Sequence, residues 1–214
     1  MRRPRVFFDV GASLDGFIAP EGMDLAHAED PDYKQWLKLW MDLQKWVFHQ
    51  RFFRENLKLG EGGETGRDNR MLEETFARTG VSIMGKKMFA AGERFWPEEA
   101  PFHTPVFVLT HEIRKPWERP GGTVFYFIND GIERALGRAR EVAGNRDIRI
   151  AGGADVIQQY LNGGLVDEFT VHYSPVFFGQ GTLLFTNINS GMSLRIKEAI
   201  PSQDVTHIKY EVLK

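Results

Sequence analysis

The sequence predicts an α/β fold: a mostly parallel sheet of eight strands, flanked by helices and finished by a C-terminal antiparallel hairpin. Two observations carry the prediction. Between residues 81 and 162, short apolar or alternating runs give way repeatedly to helical periodicity, the signature of strand-helix-strand units. Near the C-terminus, "MSLRIKEAIPSQDVTHIKYEVLK" reads as two strands around Pro201-Ser202-Gln203-Asp204 with no helix between them, which places an antiparallel pair at a sheet edge.

Strand patterns fall at 5–12, 81–84, 105–110, 123–128, 147–151, 167–174, 193–199 and 205–213. Helical patterns fall at 31–57, 69–79, 130–143 and 154–162, the last stopped by Gly163-Gly164. In 31–57, Trp36, Trp40, Leu43 and Val47 form one stripe with Leu39, Trp46 and Phe53 beside it. Such a helix packs on the sheet or on a second subunit. The "GEGGETGRDN" that follows is polar and glycine-rich, either a mobile lid or a surface connector. With no repeat or linker, one domain over 1–214 is expected, carrying an insertion at about 23–68.

Apolar residues make up 42% of the chain, enough for a sizeable core. Lys and Arg total 27 against 29 Asp and Glu, and a pI near 6.3 speaks against a nucleic-acid partner. The absence of cysteine removes disulfides, thiolate nucleophiles and Cys-based zinc sites. No stretch approaches the roughly 20 apolar residues of a bilayer span, and the N-terminal apolar run breaks at Asp9. A cytoplasmic protein with no membrane partner is expected. His27, His49, His103, His111, His172 and His207 lack short ligand spacing, so no metal site is expected.

Several motifs fail on inspection. "GVSIMGKK" (80–87) satisfies most of the triphosphate P-loop spacing, but Lys87 stands where a magnesium-ligating Ser or Thr belongs. "GEGGETG" (60–66) lacks the Rossmann spacing and the strand before it. "GASLDG" (11–16) would be a nucleophile elbow around Ser13, except that Asp15 replaces its second glycine. Three strand ends do share one chemistry: Gly85-Lys86-Lys87, Thr110-His111 and Gly152-Gly153. In a parallel sheet such ends line one edge, where glycine admits close backbone approach and helix N-termini favour anions. They point to a dinucleotide.

Taken in order, "SLDGFIA" (13–19), "IMGKKMF" (83–89), "FVLTH" (107–111), "RIAGGADVI" (149–157) and "LVDEFTVHYSPVFFGQGTLLF" (165–185) resemble the dihydrofolate reductase-like superfamily. More narrowly, they resemble its stand-alone members related to the reductase domain of bacterial riboflavin biosynthesis. The resemblance implies NADPH as cofactor and a planar heterocyclic substrate, either a pterin or an aminouracil ribosyl phosphate. It implies that Ile150, Gly152, Gly153, Ala154 and Asp155 bind the cofactor, with backbone amides of the Gly152-Gly153 turn and the following helix on the pyrophosphate, and that Gly85, Lys86 and Lys87 make a second phosphate contact. Lys86 is the candidate for the 2′-phosphate. Thr110 and His111 match the adenine-ribose end, Ala12 and Ile18 the nicotinamide border, and Asp15 a first-loop residue that contacts ligand or shapes the turn. Counting back from Ile83 reaches Asp68, candidate proton donor or N-cap of a helix beginning near Asn69. A homodimer is also implied.

The sequence departs from the riboflavin reductases at Phe17, where Lys is usual after "SLDG", and "AAGERFWPEEAPF" (90–102) replaces their "DxPxL" segment. Dihydrofolate reductase proper and a non-catalytic NADPH-binding sensor or assembly module stay open as alternatives.

Overall fold

The structure is a computed structural model and describes residues 3–23 and 31–214; the opening of the expected 23–68 insertion, at 24–30, lies outside the described residues. Its strands are β1 (Val6–Ala12), β2 (Phe17–Pro20), β3 (Thr79–Gly85), β4 (Pro105–Leu109), β5 (Trp117–Glu118), β6 (Val124–Ile128), β7 (Asp147–Gly152), β8 (Glu168–Tyr173), β9 (Gly181–Leu183), β10 (Ser193–Pro201) and β11 (Thr206–Leu213). The helices are α1 (Tyr33–Phe48), α2 (Arg51–Asn56), α3 (Arg67–Arg78), α4 (Lys86–Glu93), α5 (Ile132–Val142) and α6 (Ala154–Asn162).

The main sheet has nine strands, not eight, in the order β10-β11-β8-β1-β7-β3-β4-β6-β5. Its centre, from β8 to β6, is wholly parallel. The β10–β11 hairpin edges one side, antiparallel to β8 as expected. The extra strand is β5, which pairs antiparallel with β6 through Trp117 and Glu118. Two residues are too few to show alternation, so pairing alone reveals it. For the same reason β2 and β9, which form a separate two-stranded sheet, escape the pattern.

Alternation along the strands sorts side chains onto two faces. Val6, Phe8, Val81, Ile83, Ile148, Ile150 and Val171 meet Leu136, Ala139, Ile157 and Tyr160 of α5 and α6. Tyr160 is fully buried, and its hydroxyl donates to the Ile132 carbonyl at 2.8 Å, which removes the cost of burying it. The other face carries two smaller clusters. Met84, Phe89, Val106, Val108 and Phe125 pack under α4, with Trp96 stacked on Phe125 at 5.4 Å. Trp46 and Val47 of α1 pack with Leu72 of α3 and Val205 of the hairpin turn.

The helix predicted at 31–57 is interrupted. Gln50 is extended (φ −80°, ψ 134°) and buried, and it bridges to Glu64. The backbone groups freed by the break are satisfied by the glycine-rich segment: Arg51 N–H donates to the Glu64 carbonyl, and Glu64 N–H to that of His49. Gly63 (φ +114°) permits this docking, since a Cβ there would stand 2.8 Å from Arg51 N. The 60–66 segment is thus a clamp on a helix break. Of the two placements open to α1, it takes the sheet: Leu43, Trp46 and Val47 are buried, and Ser174 Oγ donates to the Leu43 carbonyl at 2.7 Å.

Candidate functional site

Sheet order makes β7, β3 and β4 consecutive, so the three predicted strand ends are neighbours. Gly85 closes β3 where α6 approaches, and a Cβ there would lie 3.0 Å from Val156 Cγ2. Gly152 (φ +142°) has no room for a side chain beside Met88 Sδ, at 2.9 Å. Gly153 differs. It caps α6 at φ +40°, and a Cβ there would meet nothing within 4 Å. The turn therefore presents open backbone and the first N–H groups of a nine-residue helix to the space beyond the sheet. That arrangement fits a pyrophosphate: close approach, free donors and a favourable dipole.

Around this turn, Ala154 is buried, and Asp155 in the first turn accepts from Gln159 Nε2 at 2.6 Å. Ile150 and Ala12 are fully buried, so their side chains belong to the core and only their backbones are available to a ligand. Ile18 on β2 is half-buried against that core. Lys86 and Lys87 are exposed at the start of α4, and Lys86 Nζ is engaged by the Glu112 carboxylate. Thr110 Oγ accepts from Glu112 N–H at 3.1 Å, next to exposed His111. A small cavity of about 50 Å³ lies among Lys86, Thr110, Glu112 and Arg114.

Asp15 turns out to shape its loop. Its carboxylate accepts from Ser13 Oγ at 2.5 Å, from Gly179 N–H at 2.7 Å and from Phe178 N–H at 3.2 Å, tying the β1–β2 turn to the segment after β8. Desolvation raises its pKa, but these hydrogen bonds outweigh it and hold the carboxyl below its usual range.

Asp68 is not an N-cap. Gly66 holds that position, α3 begins at Arg67, and the carboxylate points to the hairpin: Ser202 Oγ donates to Oδ1 at 2.6 Å, with His207 Nε2 at 3.3 Å. The structure does not bring Asp68 to the glycine turns, because β8 and β1 separate β11 from β7. It does bring it level with the end of β1. Gly11 pairs with His172, and His172 with His207, so the row reaching Asp68 starts one residue from Ala12. Two strand spacings, about 10 Å, separate the ends of that row.

This row holds residues that sequence reasoning missed. His172 and His207 are buried with Nδ1 to Nδ1 at 2.6 Å, and Trp46 lies against both rings at 4.8 and 4.9 Å. Beyond them, Asp9 is held bidentately by Arg149 at 2.7 and 3.2 Å. Burial alone would raise the Asp9 pKa; Arg149 and then His172 drive it far below the usual carboxylate range. His207 is pushed down to about 4 by burial and by the charge of His172, against the opposing pull of Asp68. Charged residues at Asp9 and Arg149, inside strands otherwise apolar, were the available signal.

The RibD C-terminal domain family profile matches residues 4–208. The chain belongs to the RibD C-terminal domain family. Among relatives of this RibD C-terminal domain chain, the uncharacterized protein YyaP of Bacillus subtilis (strain 168) is 37% identical over 120 residues, which cover 53% of this chain and 63% of YyaP. The match thus spans less than two thirds of that relative. A putative riboflavin biosynthesis protein from Shewanella sp. PV-4 superposes with a TM-score of 0.63 at 19% identity, covering 98% of this chain and 99% of that one. Dihydrofolate reductase from Enterococcus faecalis, complexed with NADP(H) and RAB-propyl, gives a TM-score of 0.58 at 11% identity over 99% and 98% of the two chains. At such identities the likeness speaks for the fold, which is dihydrofolate reductase-like. No described helix is long and apolar enough to cross a membrane, and no described cluster of His, Asp and Glu has the makings of a metal site.

Proposed function

We propose that this protein is an NADPH-dependent reductase of a small planar heterocycle, of the pterin or aminouracil ribosyl phosphate kind. The observation that carries the reading is the open Gly152-Gly153 turn at the start of α6, flanked on the adjacent strand end by Gly85 and Lys86. Gly153 and the first amides of α6 hold the pyrophosphate, Gly85 lets α6 pack close beside β3, and Lys86 exchanges Glu112 for the 2′-phosphate. NADPH supplies a hydride when bound; the protein orients the partners and supplies a proton.

For that proton we assign Asp68. Asp9 is held as a carboxylate by Arg149, and Asp15 by its loop donors. Asp68 receives Ser202 and His207 through Oδ1 alone, which leaves Oδ2 for a ligand. The homodimer belongs to this reading through family resemblance, since α1 spends its buried stripe on its own sheet. A monomeric mass by light scattering removes it.

The test is titration with NADPH and NADH by tryptophan fluorescence, followed by absorbance assays with dihydrofolate and aminouracil ribosyl phosphates. NADPH binding with turnover of either substrate class is expected. No binding at all overturns the reading.

A further inference from the structure

Arg149, Asp9, His172, His207, Asp68 and Ser202 form one continuous line of polar contacts beneath Trp46, and the reaction proposed above uses only Asp68. We propose that His172 and His207 are a proton-storing pair that reloads Asp68, acting as positioning residues behind the acid. This rests on the reductase reading for its use of Asp68, while the proton on the pair can be observed without it.

The argument begins with donors and acceptors. Two Nδ1 atoms 2.6 Å apart cannot both carry hydrogen or both lack it, so one N–H sits between the rings. If His172 donates, then His207 carries its hydrogen on Nε2 and donates to Asp68 Oδ1 at 3.3 Å. His172 Nε2, 4.0 Å from Asp9 Oδ2, must then also be protonated, or its lone pair would face a carboxylate. This state contains one imidazolium and satisfies all three contacts. Its charges also balance: carboxylates at Asp9 and Asp68 against Arg149 and a single imidazolium.

The surroundings agree. Arg67, next to Asp68 in sequence, adds positive charge near His207, and Lys209, the next charge along β11, is already bound to Glu168. Burial, the charge of His172 and that of Arg67 together disfavour a second proton on His207. Trp46 lies against both imidazoles, tilted to His172 and edge-on in its packing with His207, and its Nε1–H is buried without a hydrogen-bond partner.

The reloading step moves two protons in concert and carries one positive charge from His172 to Asp68. His207 Nε2–H passes to Asp68 Oδ1 as His172 Nδ1–H passes to His207 Nδ1. Asp68 becomes the neutral acid, His207 Nε2 its acceptor, and His172 keeps its Nε2–H toward Asp9. No electrons change hands. The neutral carboxyl then rotates about Cβ–Cγ to turn this hydroxyl from His207 to the substrate; once it has given up the proton and swung back, a bare Nε2 faces a bare carboxylate, and their repulsion draws the next proton from water.

The experiment uses the full chain labelled with ¹⁵N-histidine and ¹³C-aspartate, without cofactor or substrate. At pH 7, two-bond ¹⁵N–¹H correlations are expected to show His172 protonated on both nitrogens, His207 on Nε2 only, and Asp68 ionised. In Asp68→Asn the imidazolium pattern is expected to vanish. Two neutral rings beside an ionised Asp68, or an imidazolium indifferent to Asp68→Asn, overturns the proposal. In turnover, His207→Gln keeps a donor for Asp68 yet cannot relay a proton. It is expected to lower the single-turnover rate about tenfold above pH 7, with NADPH affinity unchanged. A rate and pH profile equal to wild type also overturn the relay. Absence of any turnover, by contrast, counts against the reductase reading and leaves the NMR result to judge the pair.

Discussion

The two halves of the C-terminal sheet edge are built by opposite means. Along β7, β3 and β4 the edge is open and made of backbone: glycines at Gly85, Gly152 and Gly153, and helix N-termini at α4 and α6. Along β1, β8 and β11 it is filled with side chains: Asp9, held by Arg149 from β7, and the buried pair His172 and His207, which lie against Trp46 of α1. An open backbone site costs little stability and takes any ligand with the right anionic geometry. A buried polar line is costly unless every member is paired, and in return fixes protons at defined atoms.

Breaking the buried side should damage folding first, whereas breaking the open side should damage binding more than folding. The largest effect is expected from Asp9→Asn, which leaves the largely enclosed Arg149 guanidinium without its counter-charge. A loss of about 3–5 kcal/mol is expected in urea unfolding, and a loss under 1 kcal/mol would mean that water reaches the pair. Gly153→Val should weaken NADPH roughly 100-fold, about 2.7 kcal/mol, by setting a branched side chain at φ +40° where the pyrophosphate approaches. Unchanged affinity by fluorescence titration would remove this turn from the site.

A smaller effect sharpens the comparison through pH. The folded His207 pKa, about 4, lies below the unfolded value of 6.5, so the unfolded chain binds more protons between these values. That contribution is complete above pH 6.5 and is lost as pH falls toward 4. The melting temperature should decline over this window, and the decline should be shallower in His207→Gln. Identical slopes would show that His207 does not titrate as assigned. The smallest effect is Lys86→Ala, whose exposed pairing with Glu112 has little energy to lose. Its expected signature is a drop of about tenfold in NADPH affinity with NADH nearly unchanged; equal losses would take Lys86 off the 2′-phosphate.

The fold and the open half of the site were legible because both are written in local pattern. Eight of the main-sheet strands announce themselves by apolar runs, and Gly152-Gly153 by its place between strand and helix. The two-residue β5 and the break at Gln50 were not legible, since each exists only through its partner, β6 in one case and Glu64 in the other. The buried half was invisible for the same reason on a larger scale. His172 and His207 stand 35 residues apart, and one slip of register would send their rings to opposite faces.

By itself, then, the sequence determined the α/β class, the terminal hairpin, the glycine turns and the absence of thiol chemistry, because periodicity and residue type act locally. Only the tertiary structure decided that Asp68 answers to His207 and Ser202 rather than to its own helix end, and that Asp15 clamps a loop. Those roles depend on which strands lie side by side, and strand pairing is a long-range choice that the packed sheet makes.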